Sequence, residues 1–295
     1  MSPARRAGNV YARGLGRGKG DGLLSAAVWL AVALVVGAFG WLLFDVVRHG
    51  MGGLSLSFLL DGAESSGRAG GIGPILVSTL LILGVCLLAS VPFGLATAVL
   101  LAEFTDAEGS FGRPVRRSLD VLAGVPSIVF GLFGNALFCI YLGMGFSILS
   151  GGLTLACMVL PIFIREAEEG FRAVPDEHRL SAAALGFTRS RTLFSILLPA
   201  ALPGIFVGLV LGVGRALAET AALIFTSGYV DRMPASLLDS GRSLSIHIYD
   251  LSMNVAGGES NAYTTALVLV GMLLAINGTA SWLSDRWVRK RWMTH

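Results

Sequence analysis

Two ionisable residues, Arg215 and Glu219, lie well inside an apolar segment of this chain. Because they are four residues apart, they would share one face of a helix, and their opposite charges would lower the cost of burying each. A lone charge at the centre of a bilayer costs about 2.5–3.5 kcal/mol on insertion scales, so a retained pair indicates a function. The alternative is a structural ion pair that fixes the register of the helix.

Arg215 is the better candidate for binding chemistry. Its planar guanidinium presents a fork of N–H donors that matches a tetrahedral oxyanion, and it stays charged at any relevant pH. On the same segment, Gly204, Gly208 and Gly212 recur every four residues, a pattern that lets a second helix approach closely. We therefore expect one stripe of this helix to pack on a partner subunit and to present Arg215 at the seam.

The composition places the chain in a membrane. Hydrophobic residues make up 54% of its 295 residues and charged residues 14%, with a mean hydropathy of +0.73, whereas soluble proteins average about a quarter charged. A helix needs about 20 apolar residues to cross ~30 Å of hydrocarbon. Six segments reach or approach that length: Leu23–Val47, Ile72–Ala102, Leu119–Leu142, Ile148–Ile164, Ala200–Thr226 and Ala262–Leu283. The predicted fold class is an all-α polytopic membrane protein with six transmembrane helices.

The placement of Lys and Arg predicts the orientation of these spans. Of the 22 basic residues, 17 fall before the first span, between the second and third spans, after the fourth span, or at the C-terminus. Because basic residues concentrate in cytoplasmic loops, we expect both termini and residues 165–199 on the cytoplasmic side of the inner membrane. The membrane domain is assigned to residues 23–288, with a disordered basic tail over residues 1–22 and a second tail over residues 289–295.

Two other classes of site are not expected. The stretch from Gly16 to Gly20 resembles a phosphate-binding P-loop only superficially, because Gly20 stands where the motif needs Ser or Thr. The chain is therefore predicted not to bind ATP and not to be an enzyme. Its four histidines lack the spacing of metal ligands, so no metal site is predicted.

Residues 165–199, here called the elbow, are predicted to form two short helices joined by a turn. Pro175 suits a first helical position, and Gly186 suits the left-handed position that follows a helix. Thr188 or Ser190 can cap the second helix, and Pro199 would end or bend it at the start of the fifth span. The alternatives are a solvated loop and a DNA-binding helix-turn-helix, although the latter is implausible between two membrane spans.

The elbow resembles the EAA loop of binding-protein-dependent ABC importer permeases. Gly186 is preceded by Ala183-Ala184-Leu185 and is followed, after nine residues, by Ile196-x-Leu198-Pro199. In that family the loop supplies helices that dock on a separate ATPase. The resemblance therefore implies a coupling surface made of Ala183, Ala184, Leu185, Gly186, Ile196, Leu198 and Pro199. Leu180 stands where the family motif begins with an acidic residue.

Three further stretches resemble phosphate importer permeases of the PstA type. They are Leu122–Gly131, the run from Arg215 to Ala221, and the run from Ile246 to Leu251. The fifth-span signature of that family usually has Gly in place of Ala218 and Pro in place of Ala222. These two substitutions leave room for phosphonate, phosphite or molybdate as the transported oxyanion.

The resemblance implies a complex in a type I ABC importer permease fold. The partners would be a second, PstC-type permease, two ATPase subunits that bind ATP and Mg, and a periplasmic phosphate-binding protein, with membrane lipid around the spans and no nucleic acid. Arg215 would offset the desolvation of the anion, and Glu219 would orient Arg215. Ser127 and Thr220 are further candidates as hydroxyl donors along the pathway, with helix packing as their alternative role.

Two readings from other classes stay open at this point. An ATP-independent secondary transporter would need more intramembrane polar groups or broken helices that bind ions. A purely structural membrane subunit would have no need for Arg215 in its fifth span.

Overall fold

A computed structural model of the protein describes residues 19–106 and 109–292, which form an α-helical molecule with one short antiparallel hairpin. The helices are α1 Lys19–Gly50, α2 Leu56–Leu60, α3 Gly73–Glu103, α4 Gly112–Ala123, α5 Ser127–Gly134, α6 Ile148–Arg172, α7 Asp176–Ala184, α8 Arg189–Thr192, α9 Leu198–Leu217, α10 Ala221–Ile224, α11 Leu244–Met253 and α12 Glu259–Trp292. The hairpin consists of β1 (Ala63–Glu64) and β2 (Ala69–Gly70), which lie between α2 and α3.

Most residues of the two predicted tails are not described by the structure. Residues 1–18 and 293–295 lie outside the described residues. Helix α1 begins at Lys19 and α12 continues to Trp292, so the described parts of both predicted tails are helical.

Five helical segments of the described chain are long and apolar enough to cross a membrane as unbroken spans. They are Leu24–Gly53, Gly73–Glu103, Ile148–Arg172, Arg189–Leu217 and Glu259–Trp282. A sixth crossing exists only if α4 and the Ser127–Tyr141 segment count together, and these two are bent by 100°. The prediction of six spans is therefore confirmed when this bent pair is taken as the third span, and the segment predicted over residues 119–142 is broken between Ala123 and Ser127 rather than one continuous helix.

The break follows from the residues that lie between the two segments. Pro126 has no backbone N–H and disfavours a helical conformation at Val125 before it. On the N-terminal side, α4 carries several arginines and is too polar to be a span. The apolar part of the third span begins only at Ser127, with α5. Helix α5 then continues into a π-helical stretch, Asn135–Tyr141.

The fourth and fifth spans differ from their predicted bounds. Helix α6 continues past Ile164 to Arg172, so the first residues of the elbow are the last turns of a span. The fifth span begins within the elbow at Arg189 and ends at Leu217 rather than at Thr226. Long charged side chains at a helix end can reach polar surroundings, which explains why apolar patterning alone placed these ends wrongly.

Pro199 does not end the elbow helix, which was one of the two predicted outcomes. A π-helical stretch, Leu193–Leu197, ends two residues before Pro199 and joins α8 to α9 without a break. In a regular α-helix the ring of Pro199 would clash with the carbonyl four residues earlier. The wider π turn relieves that clash, which is a recognised way in which helices accommodate local disruption.

Helix α6 lies at the centre of the main hydrophobic core. It packs along α3 on one side and along α9 on another. Leu155, Met158, Phe163 and Phe171 on α6 are almost wholly buried. The ring of Phe163 fills the space beside Gly94 of α3, where a Cβ would collide with it. The site-bearing helix α9 is thus held against a rigid central helix.

The glycine stripe of α9 packs within the chain, so the predicted partner seam at these residues is wrong. A Cβ on Gly204 would lie 2.5 Å from Cα of Gly170, and a Cβ on Gly208 would lie 3.0 Å from Cβ of Glu166, both on α6. Gly212 faces Val159 of the same helix. Periodicity identifies a close helix contact but does not say whether the partner is another chain. The exposed side of α9 instead carries Pro203, Val207 and Leu211.

A matched pair of Gly→Ala substitutions on α9 tests this packing. We expect Gly204→Ala to destabilise the protein by about 1–3 kcal/mol, because its Cβ would overlap the backbone of Gly170 and force the helices apart. Gly214→Ala is the control, since a Cβ at Gly214 meets no atom within 4 Å. Thermal unfolding of the purified protein in detergent measures the difference, and equal melting temperatures for the two variants would contradict the packing.

Candidate functional site

Arg215 lies in the last turn of α9, two residues before that helix ends at Leu217. Its side chain is half-buried, and its Nε is buried without a hydrogen-bond partner. Within the described residues, no carboxylate oxygen lies within the 4.0 Å that defines an ion pair with this guanidinium. The carboxyl end of a helix carries partial negative charge, which stabilises a cation in its last turn. Arg215 thus has electrostatic support from the backbone and makes no side-chain ion pair within the described residues.

Glu219 does not share a helix face with Arg215, contrary to the prediction. The chain leaves α9 at Ala218, and the Glu219 side chain lies beyond the break with 9% of the residue exposed. Its Oε1 accepts a hydrogen bond from the backbone N–H of Ala222 at 3.1 Å. Ser245 Oγ of α11 donates to the Glu219 carbonyl oxygen at 2.6 Å. Glu219 therefore caps the start of α10 and ties it to α11.

Ser127 and Thr220, the two predicted hydroxyl donors, lie at the starts of two packed helices. Ser127 is the first residue of α5, and Thr220 directly precedes α10. The two helices touch where Gly131 faces the backbone of Ala222, since a Cβ on Gly131 would lie 2.8 Å from the Ala222 Cα. No hydrogen bond joins either hydroxyl to Arg215 in the portion of the chain that the structure describes. The structure brings these helices together without placing the hydroxyls on Arg215.

The chain that follows α10 is buried and fastened by backbone acceptors. Asn135 Nδ2 donates to the Phe225 carbonyl at 2.7 Å, and the Ser147 N–H donates to the Thr226 carbonyl at 3.0 Å. Thr226 and Ser227 are fully buried. The bond from Asn135 holds the end of α10 against the π-helical stretch after α5, so the broken third span is joined to the segment that follows the fifth span.

A buried charged cluster around Arg242 was missed by sequence reasoning. The Arg242 Nη1 lies 3.3 Å from a carboxylate oxygen of Asp250 and 4.0 Å from one of Asp231, and its Nε donates to the Tyr229 carbonyl at 2.8 Å. Its Nη1 also lies 3.3 Å from Nδ1 of His247. The four side chains come from three separate stretches of sequence, so no local spacing signals the cluster. It fixes α11 against the preceding loop.

His247 is held neutral in this cluster. The residue is fully buried, and burial together with the charge of Arg242 lowers the pKa of its imidazole from 6.5 to about 4. The ring lies against Gly67 of the loop between β1 and β2, where a Cβ would come within 2.5 Å of the His247 Cε1. An uncharged imidazole is the form that accepts a hydrogen bond from Arg242.

The predicted helix-end residues of the elbow occupy the expected positions except for Pro175. Helix α7 begins at Asp176, so Pro175 is its N-cap rather than its first helical residue. Gly186 has a φ of +73°, the left-handed conformation that favours glycine. Thr188 Oγ1 accepts from the Arg191 N–H at 3.3 Å, so Thr188 caps the second helix and Ser190 does not.

The predicted coupling residues divide into an exposed group and a partly buried group. Leu180 and Leu185 have 70% and 73% of their surface exposed, and Ala183, Ala184 and Gly186 are exposed beside them. Ile196, Leu198 and Pro199 are partly buried at the base of α9. The first group forms an open apolar surface on α7, and the second group connects this end of the molecule to the helix that carries Arg215.

Comparison with known proteins identifies clear relatives. A family model described as "Binding-protein-dependent transport system inner membrane component" matches residues 90–292. The chain is 36% identical to "Phosphate transport system permease protein PstA 1" of Mycobacterium tuberculosis, over 90% of this chain and 84% of that protein. It is 32% identical to "Phosphate transport system permease protein PstA 2" of Mycobacterium bovis, over 99% of this chain and 95% of that protein.

A solved structure shares the fold at low sequence identity. It is a bacterial ABC transporter involved in the import of the acidic polysaccharide alginate, with a TM-score of 0.65 and 16% identity. The match covers 91% of this chain and 96% of that one. At this identity the likeness concerns the fold alone.

Two substitutions of Glu219 separate its capping role from its charge. Glu219→Ala removes the acceptor of the Ala222 N–H, and we expect a loss of about 1 kcal/mol, as for other helix caps. Glu219→Gln keeps an amide oxygen in the same place and should retain most of the stability. Thr220→Ala is the control, because Thr220 makes no side-chain cap bond. Melting temperatures decide the point: equal losses for Gln and Ala would mean that the charge, rather than the acceptor, is needed.

The depressed pKa of His247 predicts that the folded state is less stable in acid. The unfolded chain takes up a proton on this histidine below pH 6.5, whereas the folded chain does so only below about pH 4. The contribution is therefore complete above pH 6.5 and is lost progressively between pH 6.5 and pH 4, by about 3 kcal/mol in all. His247→Asn can still accept from Arg242 but does not titrate. Its melting temperature should fall less from pH 7 to pH 4.5, and an equal fall in both proteins would contradict the assignment.

Proposed function

The chain belongs to the family of binding-protein-dependent transport system inner membrane components, and from this premise we propose that it imports inorganic phosphate. It would be the transmembrane permease subunit of an ATP-driven importer in the inner membrane, with ATP hydrolysis carried out by a separate subunit. The mycobacterial relatives are named as phosphate transport permeases, which supports phosphate over phosphonate, phosphite or molybdate.

The observation that carries this proposal is the half-buried guanidinium of Arg215. A phosphate ion that enters a membrane loses its hydration, and a nearby cation with free donors offsets that loss. Arg215 lies at the end of a span and has no ion-pair partner among the described residues. The planar fork suits two oxygens of a tetrahedral anion, whereas an ammonium acts as a point charge. An internal counter-ion would have weakened this attraction.

The elbow supports the coupling to a separate ATPase. The exposed apolar side chains of α7, Leu180 and Leu185, are unusual on a polar connection between spans, and large exposed apolar patches mark contact surfaces. The small residues Ala183 and Ala184 allow another backbone to approach. With Leu180 in place of an acid, this contact would depend on packing rather than on a salt bridge.

The remaining partners are inferred from the family to which the chain belongs. We infer a second, PstC-type permease on the exposed side of α9, two ATPase subunits that bind ATP and Mg, and a periplasmic phosphate-binding protein. Both termini and the elbow would face the cytoplasm, as the distribution of Lys and Arg indicates.

Substitution of Arg215 tests the proposal in the assembled transporter. We expect Arg215→Ala to abolish uptake of radiolabelled phosphate into proteoliposomes while assembly with the partner subunits is retained. Arg215→Lys should be strongly impaired as well, because it keeps the charge but loses the two-bond fork. Competition with sulfate, molybdate and phosphonate in the natural protein measures which oxyanion is preferred.

Arg165→Ala provides the matched control for loss of an arginine. Arg165 pairs with Asp120 on the exposed surface at the elbow end of α6, far in sequence from the proposed site. We expect this variant to transport phosphate at the natural rate. Normal uptake by Arg215→Ala would contradict the role of Arg215, and preference for another oxyanion would redirect the substrate assignment.

A further inference from the structure

We propose that Arg179 and Glu103 form the joint through which movement of α7 is transmitted to α3, so that both are positioning residues for transport. This inference rests on the proposed function, because it assumes that an ATPase binds and moves the elbow. The two residues are 76 positions apart in the sequence and belong to no motif recognised there.

The contact between the two side chains is a two-bond fork. Arg179 Nη2 lies 2.6 Å from Glu103 Oε1, and Arg179 Nε lies 3.1 Å from Glu103 Oε2. The arginine side chain is 26% exposed and the glutamate side chain 13% exposed, so solvent screens the pair less than it would a surface pair. The hydrogen bond to Glu103 raises the pKa of Arg179. Two parallel bonds fix the orientation of both groups as well as their distance.

Arg179 also binds the end of α6 and the residues just after it. Nη1 donates to the Val174 carbonyl at 2.8 Å and to Asp176 Oδ1 at 3.2 Å, and Nη2 donates to the Phe171 carbonyl at 3.0 Å. A cationic side chain near the end of a helix commonly donates to its last carbonyls in this way. One side chain of α7 thus holds the last turn of α6 and the last residue of α3 together.

A second junction makes α3 and α6 rigid at the same end of the molecule. Glu168 of α6, with a side chain only 8% exposed, accepts from Arg116 Nε at 2.7 Å and from Arg172 Nε at 2.8 Å. The same two guanidinium groups also donate to the Leu101 carbonyl, near the end of α3, at 2.8 Å and 3.2 Å. A displacement delivered through Glu103 would therefore move α3 and α6 as one body.

The backbone connection from α7 to α9 is more flexible than the side-chain contact between Arg179 and Glu103. It passes through the left-handed turn at Gly186 and the short helix α8 before the π-helical stretch begins. A glycine turn bends more easily than a pair of helices joined by buried charged bonds. The elbow thus has a flexible connection to the helix of Arg215 and a stiff connection to α3, and the joint at Arg179 provides the stiff one.

The test uses the complete transporter, with its ATPase and binding protein, in proteoliposomes that report both phosphate uptake and ATP hydrolysis. Glu103→Ala removes the link to α3 but leaves Arg179 bonded to Phe171 and Val174. We expect ATP hydrolysis and co-purification of the ATPase to be retained, and the phosphate moved per ATP to fall by about tenfold, the effect of losing a charge-assisted hydrogen bond. Glu103→Gln, which keeps one acceptor, should give an intermediate ratio.

Asp120→Ala is the matched control, because Asp120 forms an exposed ion pair with Arg165 at the same end of the molecule. The phosphate moved per ATP by this variant should equal that of the natural complex. The proposed role of Arg179 and Glu103 is overturned if Glu103→Ala moves as much phosphate per ATP as the natural complex, or if it no longer binds the ATPase. If Glu103→Ala does not accumulate, Arg179→Lys replaces it as the test, since it keeps the charge but cannot form both bonds to Glu103. An unchanged amount of phosphate moved per ATP in Arg179→Lys would also overturn the proposal. Failure of the natural complex to take up phosphate would instead refute the proposed function.

Discussion

The contact between Gly170 and Gly204 determines the arrangement of the main core. With no side chain on either residue, the backbones of α6 and α9 touch, and a single added methyl group would separate them. Such contacts depend on dispersion forces over a closely fitted surface and leave little freedom for sliding. Helix α9 carries Arg215 and α6 leads into the elbow, so this contact helps to fix the distance between Arg215 and the exposed apolar residues of the elbow. The position of α3, on the other side of α6, follows from the same central helix.

The charges of the molecule differ in how fully they are bonded. Arg179 and Arg242 use several of their donors on carboxylates and carbonyls of the same chain, which is the usual condition for partly buried guanidinium groups. Arg215 relies on the carboxyl end of its own helix. Glu219, four residues later, satisfies a backbone N–H of the next helix and is held by Ser245. A cation with no carboxylate partner among the described residues attracts an anion more strongly than a neutralised pair would, and this difference supports the proposal that Arg215 binds the transported anion.

Much of the fold could be predicted from local sequence, and the errors have physical causes. The span that starts near Ile72, the cap at Thr188 and the turn at Gly186 depend on residues close to one another in the chain, and the structure agrees with each. The break before Ser127 was signalled by Pro126, but the apolar run on both sides concealed it. The glycine period of α9 predicted a close contact, although periodicity cannot distinguish a helix of the same chain from a partner. The junction at Glu168 joins residues 52 positions apart, so no spacing rule would find it. The partners of Arg242 lie within 13 positions of it, but they are separated by an irregular loop that has no helical or strand period.

The π-helical stretch before Pro199 has a consequence for how this chain can vary. A π turn holds one more residue than an α turn over the same length of axis. The π turn therefore takes up one residue without changing the direction of the helix that follows. Loss of one residue between Leu193 and Leu197 would leave a regular turn and keep Arg215 on the same side of α9, although the ring of Pro199 would then meet the carbonyl four residues before it. Loss or gain of one residue between Leu198 and Arg215 would instead rotate Arg215 by about 100° about the helix axis. A change of chain length should therefore be tolerated better before Pro199 than after it.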